Sequence, residues 1–371
     1  MKDKRMIFTV PAVFLILTLN PVLQAVNTRD VDVVRSKAVL DSKDLQTIDN
    51  FVAESVRELI NTKDFTSVSR IRAAISSRSK SATDSAAAQY AQQFFDSAYK
   101  YISLGFEEAD KLTPESRKLK AVLNLLILTD SLENLRLAKP AMKLIDDKNA
   151  VISYWAVHSV TNDAVVRQLN SGGVDNLKLG SEIIERLEKL VEGTNPDIIA
   201  LVVEFATEVE IQQGEDLLVQ IADMRINKYA EWTVDYELLD AAVLKSLYKK
   251  ISLSGAGKSA VARRFCQLYS YAMQRYVKGQ DFLDDEQKHQ LASVLVEIEN
   301  CCIWRLLGTP QSVIKKAVEQ NDYAGLLREH NRLFGDETKA GQLPLKLNFD
   351  YGKTDDGNIR TCPLALPEPP E

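Results

Sequence analysis

Histidine, cysteine, glycine and proline are all scarce in this chain: three His, four Cys, 15 Gly and 11 Pro among 371 residues. So few histidines exclude a centre built on several imidazoles. No Cys-x-x-Cys and no nearby His completes a four-ligand zinc site. Scarce Gly and Pro, beside plentiful Ala, Leu, Val, Glu and Lys, argue against many short strands and for helices. Aromatics make up a modest 7%. A basic excess is also missing. The formal charge of −6 argues against broad nucleic-acid binding, which needs a net basic footprint. Long apolar runs are absent beyond the first 25 residues. Val122–Leu128 is interrupted by Asn124 and soon followed by Asp130, so no membrane span is expected there. Neither a Gly-x-Ser-x-Gly elbow nor a His-Glu-x-x-His motif occurs.

What is present begins with a leader. Lys2, Lys4 and Arg5 precede an apolar run from Phe8 to Leu19. Pro21 then breaks the helix, and Val22-Leu23-Gln24-Ala25 offers a small residue for cleavage. Residues 1–25 read as a secretory signal peptide. The rest of the chain is then exported, periplasmic or extracellular, without a supply of ATP or NAD(P)H, and no cofactor is expected. No Cys follows the run to be lipidated. Loss of residues 1–25 removes three basic and one acidic side chain and leaves a charge of −8.

Residues 26–37 carry little pattern and read as a mobile leader. Ser42 offers a helix N-cap, and Leu45, Ile48, Val52, Val56 and Leu59 follow at helical spacing. A shorter helix covers 65–77, Ser76–Ser85 is a polar loop, and 86–103 returns to helix with an aromatic-rich face that periodicity assigns to the core. Thr113-Pro114-Glu115 and Asn195-Pro196-Asp197 share one start chemistry: a capping oxygen, Pro at the first helical position and an acid in the first turn. Segments starting at Asn149 and Asn195 lie 46 residues apart and align as Asn-Ala-Val-Ile-Ser-Tyr-Trp-Ala-Val against Asn-Pro-Asp-Ile-Ile-Ala-Leu-Val-Val. Each precedes an amphipathic helix. Further helices are expected at 238–251, 258–278, 284–307 and 310–331. Leu343–Tyr351 alternates as a short strand or extended arm, and the Pro-rich end from Cys362 is extended or disordered.

The run from Leu144 to Val160, with Asp146-Asp147 and Asn149 opening a helix of small and apolar residues, resembles a HEAT-type repeat, although Ile152-Ser153 replaces the usual Val-Arg pair. The 46-residue spacing suits that HEAT/armadillo-like class. The resemblance implies an all-α superhelix of stacked hairpins, a HEAT-like α-solenoid, and no particular activity. Helical pairs with one apolar face complete their core by stacking. The expected organisation is a helical region over 26–110, a repeat domain over 111–335 and an extended tail over 336–371.

Several motifs fail on context. Ser252–Ser259 imitates a phosphate-binding loop, but its first Gly is Ser252 and a helix precedes it where a strand is required. Glu286-x-x-His289 lacks the second copy of a di-iron site. His158 reads as structural, and His289 and His330 as solvent-facing. No metal site is expected. Among the cysteines, Cys266 could bridge Cys301 or Cys302 if their helices pack; the equal alternative is small buried apolar side chains.

Charge is distributed unevenly. Residues 181–240 carry fifteen acids against four bases, while 241–280 carry eight bases and no acid. Lys245, Lys249, Lys250, Lys258, Arg263, Arg264, Arg275 and Lys278, interleaved with Tyr269, Tyr271 and Tyr276, are the candidate binding residues for an acidic polymer or protein segment. The competing reading is that successive repeats set acid beside base. The function expected is an exported scaffold, without enzymatic chemistry, that binds a protein or anionic polymer of the envelope through a groove or basic face. Its rivals are a carbohydrate-active helical enzyme using two carboxylates and a structural envelope protein.

Overall fold

The computed structural model describes residues 27–192, 195–253, 258–354 and 356–370. The expected signal segment, residues 1–25, and residues 254–257 lie outside these residues. The fold is all-α. Among the described residues, β-pairing is confined to two isolated bridges, Gly335 with Ala340 and Lys353 with Ile359. None of their helices is long and apolar enough to cross a membrane.

The chain divides into two compact units, with the boundary between Phe94 and Phe95. The first holds α1 (Arg29–Arg35), α2 (Ser42–Asn61), α3 (Phe65–Ser76) and the start of α4 (Ala87–Asp110). The cap of α2 falls one residue earlier than expected. Asp41 accepts from the amides of Lys43 and Asp44, and Asp44 answers by accepting from the Asp41 amide, a capping box. Residues expected to be a mobile leader instead form α1. Arg78 grips Asp32 with two bonds of 2.9 and 2.8 Å, and Val31 and Val34 are buried.

The second unit continues with α5 (Glu115–Ser131), a 3₁₀ turn (Leu135–Leu137), α6 (Ala138–Met142), α7 (Ala150–Thr161), α8 (Asp163–Ser171), α9 (Val174–Glu188), α10 (Pro196–Glu208) and α11 (Gln212–Ala230). It ends with α12 (Leu239–Leu253), α13 (Lys258–Lys278), α14 (Asp285–Ile298), a π-helical turn (Glu299–Ile303), α15 (Trp304–Leu307), α16 (Val313–Glu319), α17 (Tyr323–Phe334) and α18 (Gln342–Leu347). Asn149 and Asn195 cap α7 and α10 through their side-chain oxygens, which is the shared start chemistry read from their alignment. Thr113 does not cap; α5 begins after Pro114 without a side-chain cap. The expected helix over 310–331 is two helices. Asn321 takes a positive φ of 52°, and Asp322 then caps α17 through the Gly325 amide. The stretch read as a strand or arm, 343–351, opens with the helix α18.

Alternate helices pack on one another. One row runs α5, α7, α10, α12, α14 and α16, and a second runs α9, α11, α13 and α17. Contacts of α10 with α11 and of α12 with α13 join the rows. Apolar faces are thus covered by neighbouring helices. Helix α13 touches α11, α12, α14, α17 and α18 and is buried on most sides. That central place decides the fate of its polar residues.

Candidate functional site

The basic segment spans α12 and α13, and neighbouring elements take up most of its charge. Lys245 meets Glu297 at 2.6 Å, and Lys249 pairs with Glu208. Lys250 is half-buried, and its ammonium is destabilised by burial while Glu215 and Glu208 oppose that effect. Arg264 forms a two-bond fork with Asp223 at 2.9 and 2.8 Å, and Arg263 reaches the Asp350 carbonyl at 2.7 Å. The Lys258 side chain lies outside the described residues. The acids that answer these bases come from α10, α11, α14 and the chain after α18, which is the arrangement of acid beside base weighed above.

The three tyrosines are core residues, so their place among the candidate binding residues is corrected. Tyr269 is fully buried and donates to the Leu295 carbonyl at 2.7 Å. Tyr271 packs against Tyr229, and Tyr276 against Tyr323. Arg275, also counted as a surface base, is 1% exposed. It stacks 5.1 Å from the Trp232 ring and lies 3.4 Å from Glu237. His330 is buried too, against expectation, while His289 is exposed.

All four cysteines are free thiols: of the two alternatives, the Cys266 bridge is not formed, and Cys266 and Cys302 are buried. Cys301 and Cys302 sit on the π-helical turn with their sulfurs 3.2 Å apart. Cys266 is buried on α13, where it interacts with Tyr351. Among the described residues no group of three or more His, Cys, Asp or Glu is placed to hold a metal ion. Half of the phosphate-loop lookalike, residues 254–257, lies outside the described residues; its ends fall on the last residues of α12 and the first of α13.

One face of α13 does hold a ligand-like object: the chain's own segment 362–370. Gln267 reads both backbone atoms of Leu364, accepting from its amide at 2.9 Å and donating to its carbonyl at 3.1 Å. Gln274 accepts from the Leu366 amide at 2.8 Å. Lys278 donates to the Leu366 carbonyl at 2.7 Å and to the Glu368 carboxylate at 2.6 Å. From the loop after α11, the Trp232 indole N–H donates to the Pro367 carbonyl at 3.0 Å. The readers on α13 are seven and then four residues apart, which keeps them on one helix face.

A second layer orients them. Gln274 donates to the Ser270 hydroxyl at 2.9 Å, and Ser270 meets His330 Nε2 at 2.7 Å. His330 Nδ1 faces Asn331 Oδ1 at 3.0 Å, so the network assigns the proton to Nδ1. Burial holds the His330 imidazolium down, against the Asn331 contact that favours it. Trp232 has a φ of 59°, a conformation costly for a bulky residue. The Arg275 stack and an edge-on contact with Phe282 at 5.3 Å between ring centres hold it there.

Two clefts lie elsewhere in the second unit. The larger, about 640 Å³, is lined by Tyr99, Arg136, Lys139, Gln168, Asp175 and Asn176 among others. Its Arg136 is paired with Asp96, and Gln168 bonds the Leu135 amide and the Glu133 carbonyl. The smaller, about 390 Å³, is lined by His158, Asp130, Glu133, Asp163, Arg167 and Glu204 among others. His158 Nδ1 lies 2.9 Å from Asp130, whose hydrogen bond and charge raise the imidazole above its ordinary range despite partial burial.

No family model and no curated protein matches this chain. Among solved structures, it is similar to an engineered protein known from a crystal structure, at 12% identity over 86% of this chain and 92% of that one, with a TM-score of 0.28.

Proposed function

We propose that this chain is an exported scaffold of stacked, HEAT-like helical pairs that binds an extended segment of a protein partner along α13. The single observation that carries the reading is the grip on residues 364–368. Side chains of α13 and Trp232 hold an extended strand of polypeptide by its own amides and carbonyls. Backbone groups are common to every peptide, so such readers supply affinity, and the pockets between them supply selectivity. The packing of alternate helices in two rows supports the repeat architecture. Internal pairing of Lys245, Lys249, Arg263 and Arg264 turns the reading away from an anionic polymer and towards a protein.

Peptide-display selection on the full chain tests this, with Gln274→Ala/Lys278→Ala as the control. Retained peptides should be extended, Pro-containing sequences that the control loses. Equal retention by both would refute the reading. A second reading is favoured by the four carboxylates that line a cleft with His158: a hydrolase acting on a polymer with an acid–base pair. It requires polysaccharide cleavage that Asp130→Asn or Glu204→Gln abolishes.

A further inference from the structure

The segment on α13 has a burial pattern of its own. Pro363 and Leu366 are buried, Pro369 is half-buried, and Leu364, Ala365, Pro367, Glu368 and Pro370 are exposed. Inward positions at 363, 366 and 369 give a period of three. Three residues per turn is the repeat of the polyproline II helix, which leaves its backbone groups free for outside partners. Four prolines within 363–370 favour that form before any contact is made. The receiving side matches it: an indole N–H beside an edge-on aromatic pair, glutamine amides, and an ammonium set against a carboxylate. Every one of these holds comes from a side chain. No helix or sheet ladder incorporates the segment, so it can leave without unravelling α13.

Building on the peptide-binding reading above, we infer that residues 362–370 are a tethered placeholder. The true ligand is a polyproline II segment of a partner protein with the pattern Pro-x-x-Leu-Pro-acid. Leu fills the place of Leu366, Pro the place of Pro367, and the acid meets Lys278. Tethering gives the resident segment an effective concentration on the order of millimolar, so a free peptide sees a site that is mostly filled. Its apparent affinity falls by the fraction of sites left open. Release of the tether is the means by which binding is switched on.

The test uses the full chain and a fluorescent synthetic peptide of residues 361–371 with Cys362 replaced by Ser. Leu366→Asp places a carboxylate in the buried position and expels the resident segment. Fluorescence anisotropy should show saturable binding to Leu366→Asp at least about tenfold tighter than to the wild-type chain. Adding Lys278→Glu to that variant should weaken binding about tenfold, in the range of a lost charge-assisted bond. Equal binding to wild type and Leu366→Asp overturns the placeholder while leaving the peptide-binding reading intact. Binding to neither, with native circular dichroism in both, overturns both. A wild-type chain that dimerises with rising concentration, and loses this with Leu366→Asp, makes a second copy the occupant and overturns a foreign partner. Independently of any variant, excess peptide should speed hydrogen exchange at the wild-type chain's own Leu364 and Leu366 amides, with α13 unaffected. Unchanged exchange at saturating peptide overturns the placeholder.

Discussion

Asp240 is fully buried at the first turn of α12 and accepts three hydrogen bonds. Arg225 gives two of them, from Nε at 2.7 Å and Nη2 at 3.0 Å, and the Tyr229 hydroxyl gives the third at 2.7 Å. Both charged side chains are essentially sealed from water, at 2% and 0% exposure. Asp240→Ala therefore strands a buried guanidinium. Loss of one partner from a buried pair costs about 3–5 kcal/mol. Arg225 would keep the carbonyls of Asp235 and Tyr236, at 3.0 and 3.3 Å, so the lower part of that range applies. We expect about 3–4 kcal/mol, roughly a hundred- to a thousandfold in the folding equilibrium. Urea unfolding followed by tryptophan fluorescence measures it, since Trp232 lies in the loop that joins the two halves of the network. The double variant Arg225→Leu/Asp240→Leu should cost less than Asp240→Ala alone, because it removes the charge together with its partner. A cost below about 1 kcal/mol for Asp240→Ala, as for a solvated pair, would refute the reasoning. So would a double variant as damaging as the two single changes combined.

The two buried or half-buried histidines should titrate in opposite directions from the ordinary 6.5. The Asp130 hydrogen bond raises His158, so its stabilisation is complete below pH 6.5 and is lost as pH climbs through the raised folded value. Burial lowers His330, so its contribution is complete above pH 6.5 and is lost as pH falls through the depressed folded value. NMR titration of ring protons should place one above 6.5 and one below, with Asp130→Asn moving only the first. Two histidines titrating together would contradict this. Contact with the Cys302 sulfur draws the Cys301 thiol below the ordinary thiol range, with Lys245 adding to the effect, whereas burial pushes Cys266 up. Mass-spectrometric mapping after brief iodoacetamide treatment at pH 7.5 should find Cys301 modified first and Cys266 last. Lys245→Ala should slow Cys301, and an unchanged rate would remove the lysine from the account.

Elements whose signals are local were legible in the sequence. The caps at Asn149 and Asn195 rest on a side chain and the amides two or three residues beyond it, and the helices near 42–61 and 258–278 on the pattern of their own residues. Features that depend on distant partners were not. Helix α1 is fixed by Arg78, 46 residues from Asp32. Arg275 reads as a surface base until Trp232 and Glu237 close over it. The tyrosines at 269 and 276 lie at helical spacing, a core signal set aside there because bases surround them. Helix α18 was hidden by the alternation of Leu343, Leu345 and Leu347, a period of two that a short helix can also carry. The segment on α13 was read as extended or disordered, and its readers Gln267 and Gln274 were missed. The available signal was two amides seven residues apart on a crowded helix; what they bind lies about ninety residues further on.

That separation has a kinetic consequence. Alternate helices of each row make contacts between near neighbours in the chain, so the rows can assemble progressively as polypeptide emerges. The grip on residues 364–368 is a late, long-range closure by comparison. At common synthesis speeds of about 5–20 residues per second, nearly ninety residues separate completion of α13 from arrival of its resident, an interval of roughly 4–18 s. On the placeholder proposal, a newborn molecule passes through a vacant period that a mature one does not, and a partner present at birth would meet far less competition than one that comes later.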